Sequence, residues 1–390
     1  MNLAFFVFWV GNFFVVYTYA GYACVMLVLV KLKQFFFTNE TQLKNDFEPE
    51  VTLVIPCYNE IKVLKAKIEN SLQLDYPKHK LSIVFITDGS TDGSENFLKD
   101  FENIKVLHQK DRGGKAMAEN RAMQFVETPF VIFCDANTKL NKEAVMEMMK
   151  HYNDSTVGAV AGEKRIVSNE KDSASAAGEG IYWKYESLLK KLDSSLYSTI
   201  GGAGELISIR CSLYSNLEPD TLLDDFMQSM RIAISGYKVA YEPKAFAEET
   251  ASLNVNEEIK RKIRISAGAW QSMSRLGKAF NPFHDLTLAF TFISHKVFRW
   301  TLAPLALLLV IPANIILYMN EGGWYTFFMS AQIAFYVMAL LGWIFENYRI
   351  RIKILFIPYY FFITNLCMYL GFWRFLKGKQ SVKWERSERA

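Results

Sequence analysis

Two short apolar runs in this 390-residue sequence end in an acidic residue. Asp135, with Asn137 two positions later, follows Phe130–Cys134, and Asp88 follows Leu81–Thr87. Magnesium and manganese are held by few carboxylates together with phosphate oxygens of a substrate, so an aspartate with a polar neighbour suits that chemistry. Asp88 could accept hydrogen bonds from a ribose or a base. The structural alternative for Asp135 is a turn in which the side chain bonds only to nearby backbone.

The segment DGSTDGS, which begins at Asp88, has the residue types that open a calcium loop. Such a loop needs a bidentate glutamate at its twelfth position, where this chain has Lys99. An EF-hand site is therefore excluded. Asp92 keeps two interpretations, a ligand or the cap of a following helix.

Asp224 and Asp225 stand at the start of an amphipathic helical pattern that ends near Gly236. A carboxylate in this position can act as a general base, which removes a proton from an attacking hydroxyl. Acids at the start of a helix also stabilise it through the helix dipole, so a cap is the structural alternative.

Three basic residues are placed to meet an anionic group. Lys115 follows two glycines at the start of a helical pattern, where a positive charge is unfavourable unless an anion or a carboxylate faces it. The spacing of a P-loop is absent. Arg261 and Arg264 share one helix face, where two guanidiniums can bind a diphosphate. Solvated side chains are the alternative for all three.

Apolar runs alternate with helical patterns over residues 51–167. The alternation predicts an α/β fold with a mainly parallel, Rossmann-like sheet, and the near-continuous apolar character of the runs predicts burial on both faces. Ligands of such sheets bind beyond the carboxyl ends of the strands. Asn59, Glu60, Asp88 and Asp135 all follow apolar runs, so we expect them to converge at one edge of the sheet.

Four long uncharged segments lie outside this region: Leu3–Val30, Thr301–Met319, Trp324–Phe345 and Ile354–Trp373. A helix of about 20 apolar residues spans a hydrocarbon core of about 30 Å, so each is a candidate span. The first is too long for a signal peptide and lacks a preceding basic region, so we expect a retained anchor. The last contains a proline and an asparagine; a re-entrant or interfacial segment is its alternative, which leaves three or four spans.

These segments predict five parts of the chain. They are an N-terminal transmembrane anchor over 1–33, a catalytic domain over 48–280, an interfacial helix region over 281–300, C-terminal transmembrane segments over 301–376 and a basic tail over 377–390.

Charges and cysteines restrict the location and the partners. Lys31 and Lys33 follow the first candidate span, and three basic residues from His295 to Arg299 precede the second, which places the middle domain in the cytosol. The five cysteines are dispersed without a CxxC pair, which argues against a zinc site or a disulfide framework. A net charge of only +4 and the absence of a long basic run argue against a nucleic-acid partner.

Seven motifs occur in the order and with the spacings of a known family: IPCYNE, ITDGSTDGS, GGKAMAEN, FCDANT, GGAGELISIR, LLDDF and RKIRISAG. With them the chain resembles the family 2 glycosyltransferases over about residues 51–268. In plan it is similar to membrane enzymes of bacterial polysaccharide synthesis related to cellulose, chitin and hyaluronan synthases. The resemblance implies a GT-A fold, an inverting transfer from a nucleotide-diphosphate sugar, and a divalent cation, Mn²⁺ or Mg²⁺.

The resemblance also implies a donor site. In the family, the first strand end and the second aspartate bind the nucleotide, which here indicates Tyr58, Glu60 and Asp88. Together with the metal motif and the basic residues above, the predicted donor-binding residues are Tyr58, Glu60, Asp88, Lys115, Asp135, Arg261 and Arg264.

The implied metal ligands are Asp135 and Asn137. The family has a second aspartate where this chain has Asn137, so the site lacks one negative charge. The implied catalytic base is Asp225, the second acid of the pair that begins at Asp224.

The acceptor side departs from the processive synthases, which carry QxxRW. The matching stretch runs from Arg261 to Ile265, so Arg264 is kept while the glutamine and the tryptophan are gone. Ile265 cannot stack on a sugar, which favours non-processive synthesis, although Trp183 or Trp270 could replace the missing ring. In the family the glycine-rich GGAGE stretch lies by the acceptor; a flexible turn is its alternative. The predicted acceptor residues are Gly202, Gly204, Glu205 and Trp270.

The sequence thus predicts a multi-pass glycosyltransferase of the inner (plasma) membrane. It would move a sugar from a nucleotide-sugar donor, a UDP-sugar, to a lipid-linked or glycan acceptor in extracellular or cell-surface polysaccharide synthesis, with membrane lipid as a further partner. A processive synthase that also secretes its polymer is the alternative. A transporter with a nucleotide-binding regulatory domain is disfavoured because no ionisable residue lies inside a candidate span. A catalytically silent scaffold is disfavoured because Asp135 and Asp225 are both present.

Overall fold

A computed structural model of the chain describes residues 2–37, 47–167, 174–250, 255–348, 352–378 and 380–383. Its central part is an α/β domain built on one eight-stranded sheet. The strands are β1 (Val51–Cys57), β2 (Leu81–Asp88), β3 (Lys105–Gln109), β4 (Phe130–Cys134), β5 (Lys139–Leu140), β6 (Val157–Val167), β7 (Leu206–Arg210) and β8 (Lys238–Thr250).

The strand order is β3-β2-β1-β4-β7-β6-β8-β5. β1 pairs in parallel with β2 and β4, and β2 pairs in parallel with β3. β7 enters antiparallel between β4 and β6, while β6 and β8 pair in parallel. The predicted mainly parallel sheet is therefore confirmed. β7 and β8 lie beyond the alternating region of the sequence, which does not predict them.

Helices cover the sheet and extend from both ends of the domain. In chain order they are α1 (Asn2–Val16), α2 (Tyr22–Phe36), α3 (Ile61–Leu72), α4 (Ser94–Lys99), α5 (Lys115–Met123), α6 (Ala144–Lys150), α7 (Ala174–Leu196), α8 (Asp224–Ile234), α9 (Val255–Arg275), α10 (Leu286–Phe292), α11 (Phe298–Trp300), α12 (Leu302–Glu321), α13 (Trp324–Asn347) and α14 (Lys353–Leu376). Two π-helical turns, Tyr17–Gly21 and Ile293–Val297, join α1 to α2 and α10 to α11. The 3₁₀ turns are Lys78–Lys80, His151–Asn153, Cys211–Leu213 and Gly277–Phe280.

The sheet is buried on both faces, as alternate residues of its central strands show. Leu53 and Ile55 of β1 belong to an apolar cluster that Leu64 of α3 helps to close. Val54 points the other way, into a cluster with Met227 of α8. This two-sided burial fixes the strands, and with them the loops at their carboxyl ends, where polar residues can be held in place.

Four helices are long and apolar enough to cross a membrane: Asn2–Phe36, Leu302–Glu321, Trp324–Glu346 and Ile354–Leu376. α14 is one continuous helix through Pro358 and not a re-entrant loop. It packs against α9, where Ser266 Oγ donates to the carbonyl oxygen of Met368 at 3.1 Å. A Cβ on Gly371 would lie 2.3 Å from the Cβ of Ser266, so only glycine permits this close approach. The membrane helices are thus joined directly to the α/β domain.

Candidate active site

A cavity of about 1150 Å³ lies at the carboxyl ends of β1 and β4 and continues between α9, α14 and the N-terminal helices. Most of the predicted site residues line it: Glu60, Lys115, Asp135, Asn137, Gly202, Gly204, Glu205, Asp224, Asp225, Arg261 and Arg264. Tyr58 and Asp88 border a smaller adjoining pocket. Trp270 is not among the described residues that line either one.

Lys115 is the central positive charge of the cavity. Its Nζ lies 2.9 Å from Asp135 Oδ1 and 3.2 Å from Asp224 Oδ2, and it donates to the carbonyl oxygen of Gly204 at 3.1 Å. Burial alone would lower the pKa of Lys115, but Asp135 and Asp224 hold it well above its usual range. The charged ammonium of Lys115 therefore lies between Asp135, the predicted metal ligand, and Asp224 of the predicted catalytic pair.

Glu119 belongs to the same cluster and is not among the residues predicted from the sequence. Its carboxyl is buried and lies 3.9 Å from Lys115 Nζ. Burial and the charge of Asp224 raise the pKa of Glu119 well above its usual range, so its protonated form can donate to Asp224. The four-residue spacing of Lys115 and Glu119 on one helix was the available signal.

Asp224 and Asp225 are the first two residues of α8. Burial, followed by the charge of Asp224, raises the pKa of Asp225 to about 6. Burial also acts on Asp224, but Lys115 outweighs it and lowers the pKa of that carboxyl. Two neighbouring carboxyls with separated pKa values are typical of a pair in which one takes up a proton and the other stays charged.

The glycine-rich stretch packs directly on Asp225. A Cβ on Gly204 would lie 3.5 Å from Asp225 Cγ, and one on Gly202 would lie 3.3 Å from its backbone oxygen. Gly201 has a φ of +87°, and a Cβ there would meet the Phe226 ring at 2.6 Å. The stretch is therefore a closely packed wall of the cavity, and its glycines leave room beside the Asp225 carboxylate.

Asp135 and Asn137 follow β4 and face the cavity. Asn137 Nδ2 donates to Glu249 Oε1 at 3.0 Å, which leaves its amide oxygen as the atom that can face a cation. No group of three or more His, Cys, Asp or Glu side chains in the described ranges is placed to hold a metal. The donor set fits Mg²⁺ or Mn²⁺ completed by phosphate oxygens and water, and not a site formed by protein ligands alone.

Asn137→Asp, which would complete the family's acidic motif, is expected to weaken this site. The new carboxylate would face Glu249, whose other oxygen already pairs with Lys164 at 2.6 Å. Repulsion would raise the pKa of the new carboxyl, so its cost to stability grows as pH rises. We expect a melting temperature about 2–6 °C below that of the wild type at pH 8, with a smaller difference at pH 5.

Isothermal titration with Mn²⁺ provides the second readout of this variant, and no gain in affinity is expected. Asn153→Asp is the control, because Asn153 is exposed and does not line the cavity. Several-fold tighter Mn²⁺ binding by Asn137→Asp would contradict the role given to Glu249.

Asp88 and Tyr58 lie where the chain approaches α5. Both Asp88 oxygens accept from the Gly113 amide, at 3.0 and 3.1 Å, and Oδ2 accepts from the Gly114 amide at 2.7 Å. The Arg112 guanidinium lies over the Tyr58 ring, with Cζ 3.5 Å from its centre. Asp88 thus shapes the glycine loop before α5, and Arg112 covers the ring face on which a base could stack.

Asp92 takes the capping role and not the ligand role. Its Oδ2 accepts from the Ile61 amide at the start of α3, and its Oδ1 from the Ser94 amide at the start of α4, each at 3.0 Å. One carboxylate therefore caps two helices beside the donor pocket.

Arg261 and Arg264 of α9 both reach the cavity. Arg261 Nε donates to Glu258 Oε2 at 3.0 Å, whereas Arg264 Nη2 donates to the carbonyl oxygen of Leu222 at 3.4 Å. Burial lowers the pKa of Arg264 below its usual range, against the opposing charges of the nearby carboxylates. Arg264 is thus the arginine of the pair that faces the acidic cluster.

The acceptor residues stay a prediction. Trp270 packs its ring against Phe372 of α14, with centres 4.4 Å apart, and is not among the described residues that line the cavity. Trp183, the alternative, lines the cavity and has Lys164 Nζ 4.9 Å from its ring centre. Lys164 also pairs with Glu205 and, against the effect of burial, lowers the pKa of Glu205 to about 2.

Comparison with known proteins indicates a family. The sequence profile described as Glycosyl transferase family 2 matches residues 52–214, which include Lys115 and Asp135. This segment carries the sequence pattern of that family. The predictions of the family and of the transferase class are confirmed. The matched segment ends before Asp224, so the role of Asp225 stays a prediction.

Two groups of relatives extend this family assignment. The poly-beta-1,6-N-acetyl-D-glucosamine synthase of Staphylococcus aureus is 25% identical over 261 residues, which cover 62% of this chain and 61% of the synthase. The synthase of the same name from Staphylococcus epidermidis is 24% identical over 237 residues, 58% of this chain and 56% of that one. The matches thus span about three fifths of the relatives' length.

Among solved structures, the chain is similar to the mannosyltransferase PcManGT from Pyrobaculum calidifontis, solved with GDP-Man and Mn²⁺. The TM-score is 0.68 at 19% identity, over 95% of this chain and 99% of the other. The similarity covers the four candidate spans as well as the α/β domain. The predicted GT-A fold is confirmed, together with terminal helices that are long and apolar enough to cross a membrane.

Proposed function

We propose that this family 2 glycosyltransferase transfers a sugar, with inversion, from a nucleotide-diphosphate sugar to a hydroxyl of a lipid-linked or glycan acceptor. The observation that carries the proposal is a single cavity that holds Asp135, Lys115 and Asp225. We further propose a UDP-sugar as donor, and the name of the staphylococcal relatives favours an N-acetylhexosamine.

The chain's own side chains account for the main steps. Asp225, with a pKa of about 6, is ionised at neutral pH and can take the proton of the acceptor hydroxyl. Lys115 and Arg264 would hold the diphosphate and stabilise it as it departs. Asp135 and the Asn137 oxygen would hold Mg²⁺ or Mn²⁺, which neutralises charge on the leaving diphosphate. Attack of the acceptor oxygen on the sugar carbon, from the side opposite to the leaving diphosphate, would invert that carbon.

The proposed location is the inner (plasma) membrane, with the α/β domain in the cytosol and the four long helices as spans. Non-processive transfer is proposed because Ile265, which lines the cavity, occupies the place of the stacking tryptophan. A processive synthase is the second candidate. It is favoured by the extent of the cavity, which continues as far as Tyr19 and the α14 residues Phe361 and Asn365 that Tyr19 contacts.

The test is release of nucleotide diphosphate by the purified full chain across UDP- and GDP-sugars, with Mn²⁺ or with chelator, and with a lipid extract as acceptor. We expect one donor to be consumed, only with metal. Product length then separates single transfer from processive synthesis. No consumption of any donor under any condition would contradict the proposal.

A further inference from the structure

The cavity continues from the carboxylates to the first membrane helix, and this second end carries a surplus of positive charge. Lys296 and Arg299, on either side of α11's start, both pair with the single carboxylate of Glu186 on α7, and Arg299 Nη1 lies 2.6 Å from Glu186 Oε2. All three line the cavity. Burial alone would raise the pKa of Glu186, but Lys296, His295 and Arg299 hold it well below its usual range.

Arg299 has binding capacity that this pair does not use. The residue is 8% exposed, and Nε and Nη2 have no hydrogen-bond partner within the part of the chain that the structure describes. Its guanidinium interacts with the phenols of Tyr182 and Tyr185, and its Cζ lies 5.6 Å from the centre of the Tyr185 ring. Buried donors without an acceptor are costly, and the fork formed by Nε and Nη2 matches two oxygens of one phosphate or carboxylate.

The same end of the cavity has an apolar side. Ile357, Phe361 and Met368 of α14, a candidate membrane span, line it, and the Tyr19 ring packs against Phe361 with centres 4.8 Å apart. Thr364, also in the lining, has a buried hydroxyl that makes no hydrogen bond within the described ranges. A charged fork beside apolar residues of a membrane helix suits a ligand with an anionic head and a hydrocarbon tail.

We propose that Arg299, with Lys296, binds the phosphate of a lipid-linked acceptor whose hydrocarbon tail lies along α14. The inference rests on the proposed function and specifies its acceptor class. The lipid phosphate would lie at the membrane end of the cavity, and the hydroxyl to be glycosylated would extend towards Asp225. Glu186 keeps the two cations in place and leaves a net positive charge for the phosphate.

The experiment measures equilibrium binding of radiolabelled farnesyl phosphate to the detergent-purified full chain. Farnesol, inorganic phosphate and dioleoyl phosphatidate are the competitors. Wild-type protein is expected to bind farnesyl phosphate at least about tenfold more tightly than each of them. Arg299→Gln should weaken this binding by about tenfold to a hundredfold, and Arg299→Lys, which keeps the charge but loses the fork, by an intermediate factor.

Lys184→Gln is the matched control, because Lys184 is an exposed cation on α7 outside the cavity lining; its binding should equal that of the wild type. Equal binding of farnesyl phosphate and farnesol by the wild type would overturn the proposal without any variant. If inorganic phosphate competes as well as farnesyl phosphate, the site does not recognise a lipid and the proposal is overturned. If phosphatidate competes equally well, the site binds a bulk membrane lipid and not a lipid-linked acceptor, which also overturns the proposal. UDP binding, measured in the same preparation, tests the donor site separately, so its failure would count against the proposed function and not against this site.

Discussion

Asp225→Asn is expected to lower the rate of sugar transfer by about 10²–10⁴-fold while nucleotide binding stays within about twofold. The amide keeps the size of the side chain beside Gly204 but cannot take up the acceptor proton. The measurement is kcat for the identified donor, with nucleotide affinity determined separately. Asp224→Asn is the comparison variant, because Asp224 pairs with Lys115 and would stay charged throughout. If Asp225→Asn keeps a tenth of the wild-type rate, Asp225 is not the general base and another residue takes the acceptor proton.

The pH dependence of the wild type provides a second readout of Asp225. Its pKa of about 6, raised by burial and by Asp224, predicts that kcat/KM falls as pH drops below about 6, because the base becomes protonated. The raised pKa of Asp225 has the opposite effect on the free energy of unfolding, which decreases as pH rises. A carboxyl whose pKa is raised from 3.8 on folding contributes stability at low pH that is lost as pH rises through about 6. Asp225→Asn should therefore melt at a higher temperature than the wild type at pH 8, and the difference should shrink at pH 5.

Lys115→Met is expected to reduce kcat/KM by about 10²–10³-fold and to move the acid limb of the pH profile to higher pH. Without the ammonium, Asp135 and Asp224 lose the cation that lies 2.9 and 3.2 Å from them. Their uncompensated charges would then raise the pKa of Asp225 further, so more alkaline conditions are needed to ionise it. The full pH profile of kcat/KM is the measurement.

Lys110→Met is the matched control for this prediction, since Lys110 is exposed and does not line the cavity. Its profile should coincide with that of the wild type. If Lys115→Met loses activity but keeps the acid limb in place, Lys115 acts on the diphosphate alone and not on the ionisation of Asp225.

The part of the site that the sequence predicts well lies at the ends of β1, β2 and β4. Each strand is a local pattern, and parallel neighbours necessarily bring their carboxyl ends to one edge. Glu249 and Lys164 were missed because β8 and β6 bring them to Asn137 from far along the chain. The spacing of residues in the sequence does not predict such a long-range contact. The position of Glu249 explains why an asparagine replaces the second aspartate of the metal motif, since the Asn137 amide donates to the Glu249 carboxylate.

The position of Trp270 outside the cavity lining has a geometric cause. Trp270 is six residues after Arg264, and at about 100° per residue it lies about 120° around α9 from that side chain. Its face meets α14, whereas Arg264 meets the carboxylates. Helical periodicity separates these two faces of α9, whereas residue type alone does not.

In the proposed membrane location, the N-terminal helix, continuous from Asn2 to Phe36 through its π-helical turn, would set the distance of the candidate active site from the bilayer. At about 1.5 Å per residue it is roughly 52 Å long, well beyond a hydrocarbon core of about 30 Å. Its C-terminal half acts as a strut that is attached to α7. The Tyr22 hydroxyl donates to Asp193 at 2.6 Å, and Lys33 donates to the Ser195 carbonyl oxygen at 2.9 Å. A thicker or thinner bilayer would tilt or shift this strut, so the distance of the candidate active site from the lipid, and with it turnover, should depend on acyl-chain length.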